Sequence, residues 1–272
     1  MDQRSLRMSA TRSAHSAYLL HRYDWSESSL ILDLFTRDEG RVVVAAKGAK
    51  RPSSQWRGVL LPFQRLQVVV GRRRAAASQA AEAGEVLPLR SAEWAGGAAL
   101  PREAALLAGF YLNELLMKLL ARHDPHPALF DAYALTLPAL GARDDPRLET
   151  ALRAFELLLL REIGLLPDLA LLTQTQSPLK ATGRYVLRAE SGLHEAGGAD
   201  MGEPAIPAAV WQRLQQELSA PVSAAAVESL QQICGKARIE LKPMLRQLLH
   251  YHLGTPQLRS RQVMLELQAQ ER

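Results

Sequence analysis

The sequence predicts an α+β protein: a closed barrel of five short strands, then an all-α helical domain with a small irregular or β insertion. Three observations carry this. Between residue 17 and about residue 89, short β-branched runs alternate with turn signals. Beyond Gly96-Gly97 the apolar residues recur at helical spacing instead. The excess positive charge is confined to the first quarter: residues 1–74 hold 14 Lys/Arg against 6 Asp/Glu, and residues 75–272 hold 19 against 22. A basic module is therefore joined to a near-neutral one.

The expected strands are 17–23, 29–35, 41–46, 60–70 and roughly 80–89. Asp24-Trp25-Ser26, Asp38-Glu39-Gly40, a cationic loop with Pro52, and Gly71 punctuate them. Five short strands in so little chain favour closure, because a barrel has no exposed edges. This assigns 1–14 to a flexible leader, 15–95 to the barrel and 96–272 to the helical domain. Helices are expected from Pro101, over 126–140 and 146–163, and over 207–218, 224–234 and 236–253, with Gly164 and Gly254 as stops. Residues 167–204, rich in Thr, Gln, Gly and Ala, form the insertion, with one strand-like run at 184–188. The chain then ends in a polar, basic tail at Leu258-Arg259-Ser260-Arg261.

The chemistry concentrates at residues 40–58, GRVVVAAKGAKRPSSQWRG. An apolar strand runs into a loop carrying Lys47, Lys50, Arg51 and Arg57, and no acid occurs between Glu39 and Glu82. Cations in one loop can converge on one phosphate track, whose affinity is sequence-independent and salt-sensitive. Arg72, Arg73 and Arg74 extend this surface, and Arg41, with Arg22 and Arg37, is a further candidate at a strand end. Trp56 is expected to be exposed and to stack on bases. Tyr23 and Trp25 either stack on bases or cover a barrel end. Phe63, after Pro62, reads as core.

Catalysis has little support. The chain has no GxxxxGK[ST], HExxH or GxSxG pattern. His123 and His126 flank Asp124-Pro125, and a metal-dependent hydrolase built on them is outweighed by a solvated loop. The single Cys234 rules out an internal disulfide framework and any multi-cysteine metal site, and it reads as a core residue. No metal or cofactor is expected. The N-terminus has no apolar signal core, and Leu157–Leu160 is flanked by Glu156 and Arg161, so no membrane segment is expected. These features together suggest a cytoplasmic protein.

Residues 17–66 resemble the N-terminal domain of the bacterial recombination mediator family RecO. The matching features are the WSESS turn, the DLFT-x-x-x-GR hairpin, the AKGA[KR] loop and the RG-x-L-x-PF strand entry. GFYLNELLMKLL, ALRAFELLLLREIG and LGTPQLRSRQ resemble later segments of the family, in the family's order. The resemblance implies an OB-fold and a non-catalytic protein that binds single- and double-stranded DNA and anneals complementary strands. It implies work with RecR, engagement of the C-terminal tail of single-stranded DNA-binding protein (SSB), and help in loading RecA. Lys47, Lys50 and Arg51 carry over as DNA contacts. The SSB tail is acidic and ends in an apolar residue, so its site needs a cation beside an apolar pocket; Arg153 is the matching position. Many members hold a four-cysteine zinc site in the stretch matching 167–204. This chain has no cysteine there, so packing alone must hold the segment, and residues 173–182 are expected to be mobile. The alternative reading is an RNA- or ribosome-associated OB-fold module.

Overall fold

Alternating residues of the N-terminal strands are apolar on both faces, and the structure uses both. A computed structural model describes residues 14–71, 86–97, 100–101, 104–141, 145–198, 202, 204–254 and 258–270. β1 (Ala14–Asp24), β2 (Leu30–Thr36), β3 (Gly40–Ala46), β4 (Gln64–Val70) and β5 (Leu87–Gly97) close into a barrel in the order β1-β2-β3-β5-β4. Leu19, Leu32, Leu34, Val42, Val44, Leu66 and Val68 fill its interior. Tyr18, Leu20, Phe35 and Phe63 point the other way and belong to the core of the helices.

Two boundaries differ from the sequence expectation. β4 begins at Gln64 rather than at residue 60, because a 3-10 turn (Gln55–Gly58) and a turn through Phe63, at φ +64°, come first. The fifth strand runs on to Gly97, antiparallel to β4, well past residue 89. Its expected start at residue 80 lies outside the described residues, as do 1–13 of the leader.

The helical part comprises α1 (Ala104–Leu119), α2 (Pro127–Leu140), α3 (Asp145–Glu162), α4 (Ala208–Ser219), α5 (Ala224–Lys236), α6 (Arg238–Leu253) and α7 (Arg259–Gln270). The apolar ridge of α3, Leu157 to Leu160, is buried, and Cys234 lies in the same core. Burial pushes the Cys234 thiol up to about 12. The stretch expected to be a basic tail is instead α7, docked on α1. The insertion contains β6 (Arg184–Arg188) and β7 (Gly192–Glu195), joined by β8 (Ile206–Pro207) in the order β7-β6-β8. Buried Tyr185, Leu187 and Leu193 anchor it, and Trp211 donates to the Tyr185 carbonyl at 3.3 Å. Thr173 exchanges hydrogen bonds with Leu193: its amide donates to the carbonyl and its Oγ1 accepts from the amide.

The barrel meets the helices through polar contacts and one close apolar approach. A register shift between Leu19 and His21 takes the Leu20 carbonyl out of the β1–β2 ladder. Asn113 of α1 donates to it at 2.9 Å and in turn accepts from the Tyr133 hydroxyl at 2.6 Å. Arg37 at the β2–β3 turn makes a bidentate pair with Asp131 of α2, at 3.0 and 2.9 Å. Gly109 of α1 leaves room for the Phe63 ring, which a Cβ would meet at 2.7 Å.

Arg41, expected as a DNA contact, is committed to this joint. Its Nε donates to Asp33 at 3.1 Å, and its Nη1 donates to the carbonyls of Met117 and Leu120 at the end of α1. Those carbonyls have no intrahelical partner, so the guanidinium caps the helix. Its side chain is 13% exposed and that of Asp33 3%, which removes Arg41 from any phosphate surface. Breaking such a buried pair from one side costs about 3–5 kcal/mol. Arg41→Ala is therefore expected to lower the urea unfolding midpoint by that equivalent. A midpoint within error of the parent protein would show that the joint is not structural.

Candidate nucleic-acid interface

The cationic loop packs against the turn after β1, and the two bound an open cleft of about 480 Å³. Trp25, Ser26 and Ser28 line one side; Lys47, Gly48 and Arg51 line the other. The sides are stitched together. The Lys50 amide donates to the Ser28 carbonyl at 2.9 Å, and the Gly48 amide to Ser29 Oγ at 3.3 Å. The Lys50 ammonium donates to the Ser26 carbonyl and pairs with Asp24, both at 3.1 Å. Gly48 sits at φ +76°, which favours glycine, and the Arg51 side chain lies across it.

This geometry separates the expected contacts. Lys47, Arg51 and Arg57 are exposed, while Lys50 fastens the turn to the loop. Arg72, Arg73 and Arg74 lie outside the described residues. Trp56 is not the exposed ring expected: it is half-buried and packs on the barrel core, its amide donating to Ser54 Oγ at 3.3 Å. It braces the loop. The exposed aromatics of the barrel are Tyr23, Trp25 and Trp94. Trp94, which sequence reasoning missed, donates to Gln64 at 3.1 Å. Phe63 is core, as expected.

A second site lies among the helices. Arg153 is neither exposed nor without a partner: its Nη2 pairs with buried Glu156 at 2.7 Å, and Glu156 also accepts from the Tyr111 hydroxyl at 2.7 Å. Burial raises the Glu156 carboxyl above its ordinary value despite the opposing pull of Arg153. Arg153 Nε is buried with no hydrogen-bond partner among the described residues. The side chain forms part of the wall of a cavity of about 360 Å³ that also takes in Arg246, Arg261 and Lys242. Leu152, Leu249 and Leu265 give it apolar walls. Burial, then the charges of Arg261 and Arg153, lower the Arg246 pKa; His250 is lowered by burial, Arg261 and Arg246. Cations this crowded suit an anion. Lys242, Arg246 and His250 recur at four-residue spacing on α6, a stripe the sequence contains and the single residue Arg153 did not reveal.

α7 supplies Arg261, Met264 and Leu265 to that cavity. Glu114 of α1 holds its start, accepting from the amides of Arg259 and Ser260 at 2.9 Å each and from Ser260 Oγ at 2.7 Å. An acid at a helix N-terminus satisfies unpaired amides and favours the dipole. His123 and His126, the unfavoured catalytic pair, do not converge with a third ligand: among the described residues no cluster of three or more metal-ligating side chains occurs. His126 lies within 3.3 Å of Asp124 and 3.7 Å of Glu162.

The chain matches the family model described as Recombination protein O N terminal over residues 8–86, and the C-terminal model over residues 104–262. The chain belongs to the RecO family. Relatives carrying the name DNA repair protein RecO include that of Polaromonas sp. (strain JS666), 51% identical over 93% of this chain and 96% of the relative. That of Polaromonas naphthalenivorans is 51% identical over 94% and 97%, and that of Verminephrobacter eiseniae 50% over 93% and 95%. The RecO family is one of non-enzymatic DNA repair and recombination proteins, and the five-stranded barrel is its OB-fold domain. The two matched segments leave out all of β5, so the strand that closes the barrel lies between them. Among the described residues no helix is long and apolar enough to cross a membrane.

The Glu114 cap has a pH signature. Burial alone would raise this carboxyl, but the hydrogen bonds from Ser260 and Arg259 outweigh it and hold the group below its ordinary value. A carboxyl lowered on folding stabilises fully above its unfolded value of about 4.3 and loses that contribution as pH falls through the lowered one. The protection factors of the α7 amides, which are corrected for the intrinsic exchange rate at each pH, should therefore fall on acidification below about pH 4. Glu114→Gln should lower them already at pH 7 and flatten the acid dependence; protection factors that ignore the substitution would remove the cap.

Proposed function

We propose that the chain anneals complementary DNA strands and, with RecR, helps load RecA onto SSB-coated DNA in the cytoplasm. The observation that carries this is the open cleft of the barrel, in which Lys47 and Arg51 stand exposed across from Trp25. Annealing is opposed by repulsion between two phosphate chains, and mobile exposed cations reduce that repulsion without chemistry. Neither a cofactor nor a nucleotide is required by such a mechanism.

Lys47 and Arg51 contact phosphate directly, with Arg57 at the periphery, in both single- and double-stranded DNA. Lys50 contributes by holding the loop. The cavity around Arg153 receives the C-terminal tail of SSB. An acidic peptide with an apolar end finds carboxylate partners in Arg153, Arg246 and Arg261 and a dry wall in Leu152, Leu249 and Leu265. This recruits the protein to coated strands and brings the barrel to the same DNA.

On single-stranded DNA, each phosphate neutralised by one cation adds about 0.7 to the slope of log affinity against log salt. Lys47→Ala with Arg51→Ala should thus flatten it by about 1.4 and slow annealing, with an unchanged thermal melt. A folded double variant with the parent slope and annealing rate would remove the two residues from the mechanism.

For the tail site, Arg246→Ala is a clean variant, since Arg246 is exposed while Arg153 also neutralises Glu156. A charge-assisted hydrogen bond of about 1.5–3 kcal/mol implies a loss of roughly tenfold or more in affinity for a fluorescent SSB-tail peptide. Arg153→Ala should lose at least as much, with some loss of stability. Equal peptide affinity in both variants would sink the assignment.

A further inference from the structure

The face of Trp25 in the barrel cleft is not needed to bind phosphate, yet the structure displays it. The ring is 57% exposed, so an aromatic face is open at the edge of the cleft. The turn that carries it is held still. The amides of Trp25 and Ser26 donate to the Ser29 carbonyl at 3.3 and 3.4 Å, and the Ser29 amide donates to Ser26 Oγ at 3.2 Å. Lys50 fastens the same turn to the opposite side of the cleft. An indole on an anchored backbone turn thus borders an open space of about 480 Å³ whose far side carries two exposed cations, Lys47 and Arg51.

We infer that Trp25 forms a subsite for one unpaired nucleobase, stacked on the indole while the adjoining phosphates lie against Lys47 and Arg51. The occupant follows from the chemistry of the two sides. A flat apolar face and two cations a cleft's width apart match a group that is planar at one end and anionic at the other. A nucleotide with its base turned out is such a group. A base inside a duplex is stacked on both faces and does not reach the ring, so the subsite distinguishes single strands from their paired product. Pairing then takes the base away from Trp25, and the protein holds the annealed product only through phosphates.

This inference rests on the DNA reading of the cleft, and its test keeps the two apart. The probes are a fluorescent oligothymidylate, an abasic oligomer of the same length and a duplex, titrated at one salt concentration by anisotropy against the parent protein, Trp25→Ala and Trp25→Phe. One stacked base predicts that the parent prefers oligothymidylate over the abasic strand by roughly 5- to 150-fold. Trp25→Ala should lose that preference while its abasic and duplex affinities stay near the parent's, and Trp25→Phe should keep part of it. Thermal melts confirm folding, which an exposed ring should scarcely affect. A preference that survives in Trp25→Ala overturns the subsite. A parent protein that binds both strands equally overturns it as well but leaves the phosphate reading standing. Failure to bind any of the three probes removes the DNA reading itself, and the subsite with it.

Discussion

The whole arrangement depends on where Arg41 spends its charge. One guanidinium neutralises a buried aspartate inside the barrel wall and supplies donors to the last carbonyls of α1. Neither need could be met by water at that joint, so the cation serves both. The neighbouring Gly40, at φ +66°, brings the backbone against Asp124 so closely that a Cβ would overlap its carbonyl. Around this point the barrel and helices share one core, with Tyr18 packed on Phe130 and Tyr133 at ring separations of 5.2 and 5.0 Å. The cleft and the helical cavity are consequently presented by a single packed body.

Much of the barrel was legible because its strands are β-branched and its turns are marked by Gly, Asp and Ser. The fifth strand was misplaced for a physical reason: LPLRSAEWAGG contains a proline, two glycines and little alternation, and only pairing with β3 and β4 makes it a strand. α7 was missed on similar grounds. RSRQVMLELQAQ has a weak apolar stripe, and its start is capped by Glu114, an acid 145 residues earlier. Contacts of that separation leave no local pattern. The four-residue stripe on α6, by contrast, was open to reading and needed only the question of which helix faced Arg153.

The candidate cations show the limit most clearly. Arg41 and Arg51 look alike as basic residues around one strand, yet one is sealed in the joint and the other stands exposed. The signal that separates them is Asp33, which lies opposite Val43 in the β2–β3 register and so diagonal to Arg41. Lys50 is decided likewise by Asp24, and Trp56 by a 3-10 turn that folds it onto the barrel. An acid-free run of sequence does not make an acid-free neighbourhood. Partners arrive from across the hairpin.

The two cationic sites differ in a way that fits two kinds of anion. In the cleft, Lys47 and Arg51 are well exposed, so each interaction is weak, screened and replaceable by the next phosphate along a chain. A polyanion needs many such contacts and must be able to leave them. In the helical cavity, Arg153, Arg246 and Arg261 are crowded against leucines and against one another, and burial and mutual repulsion already lower the pKa values of Arg246 and His250. A carboxylate placed there relieves that repulsion beside buried Arg153 and an apolar wall, so a short acidic peptide can be held by few contacts.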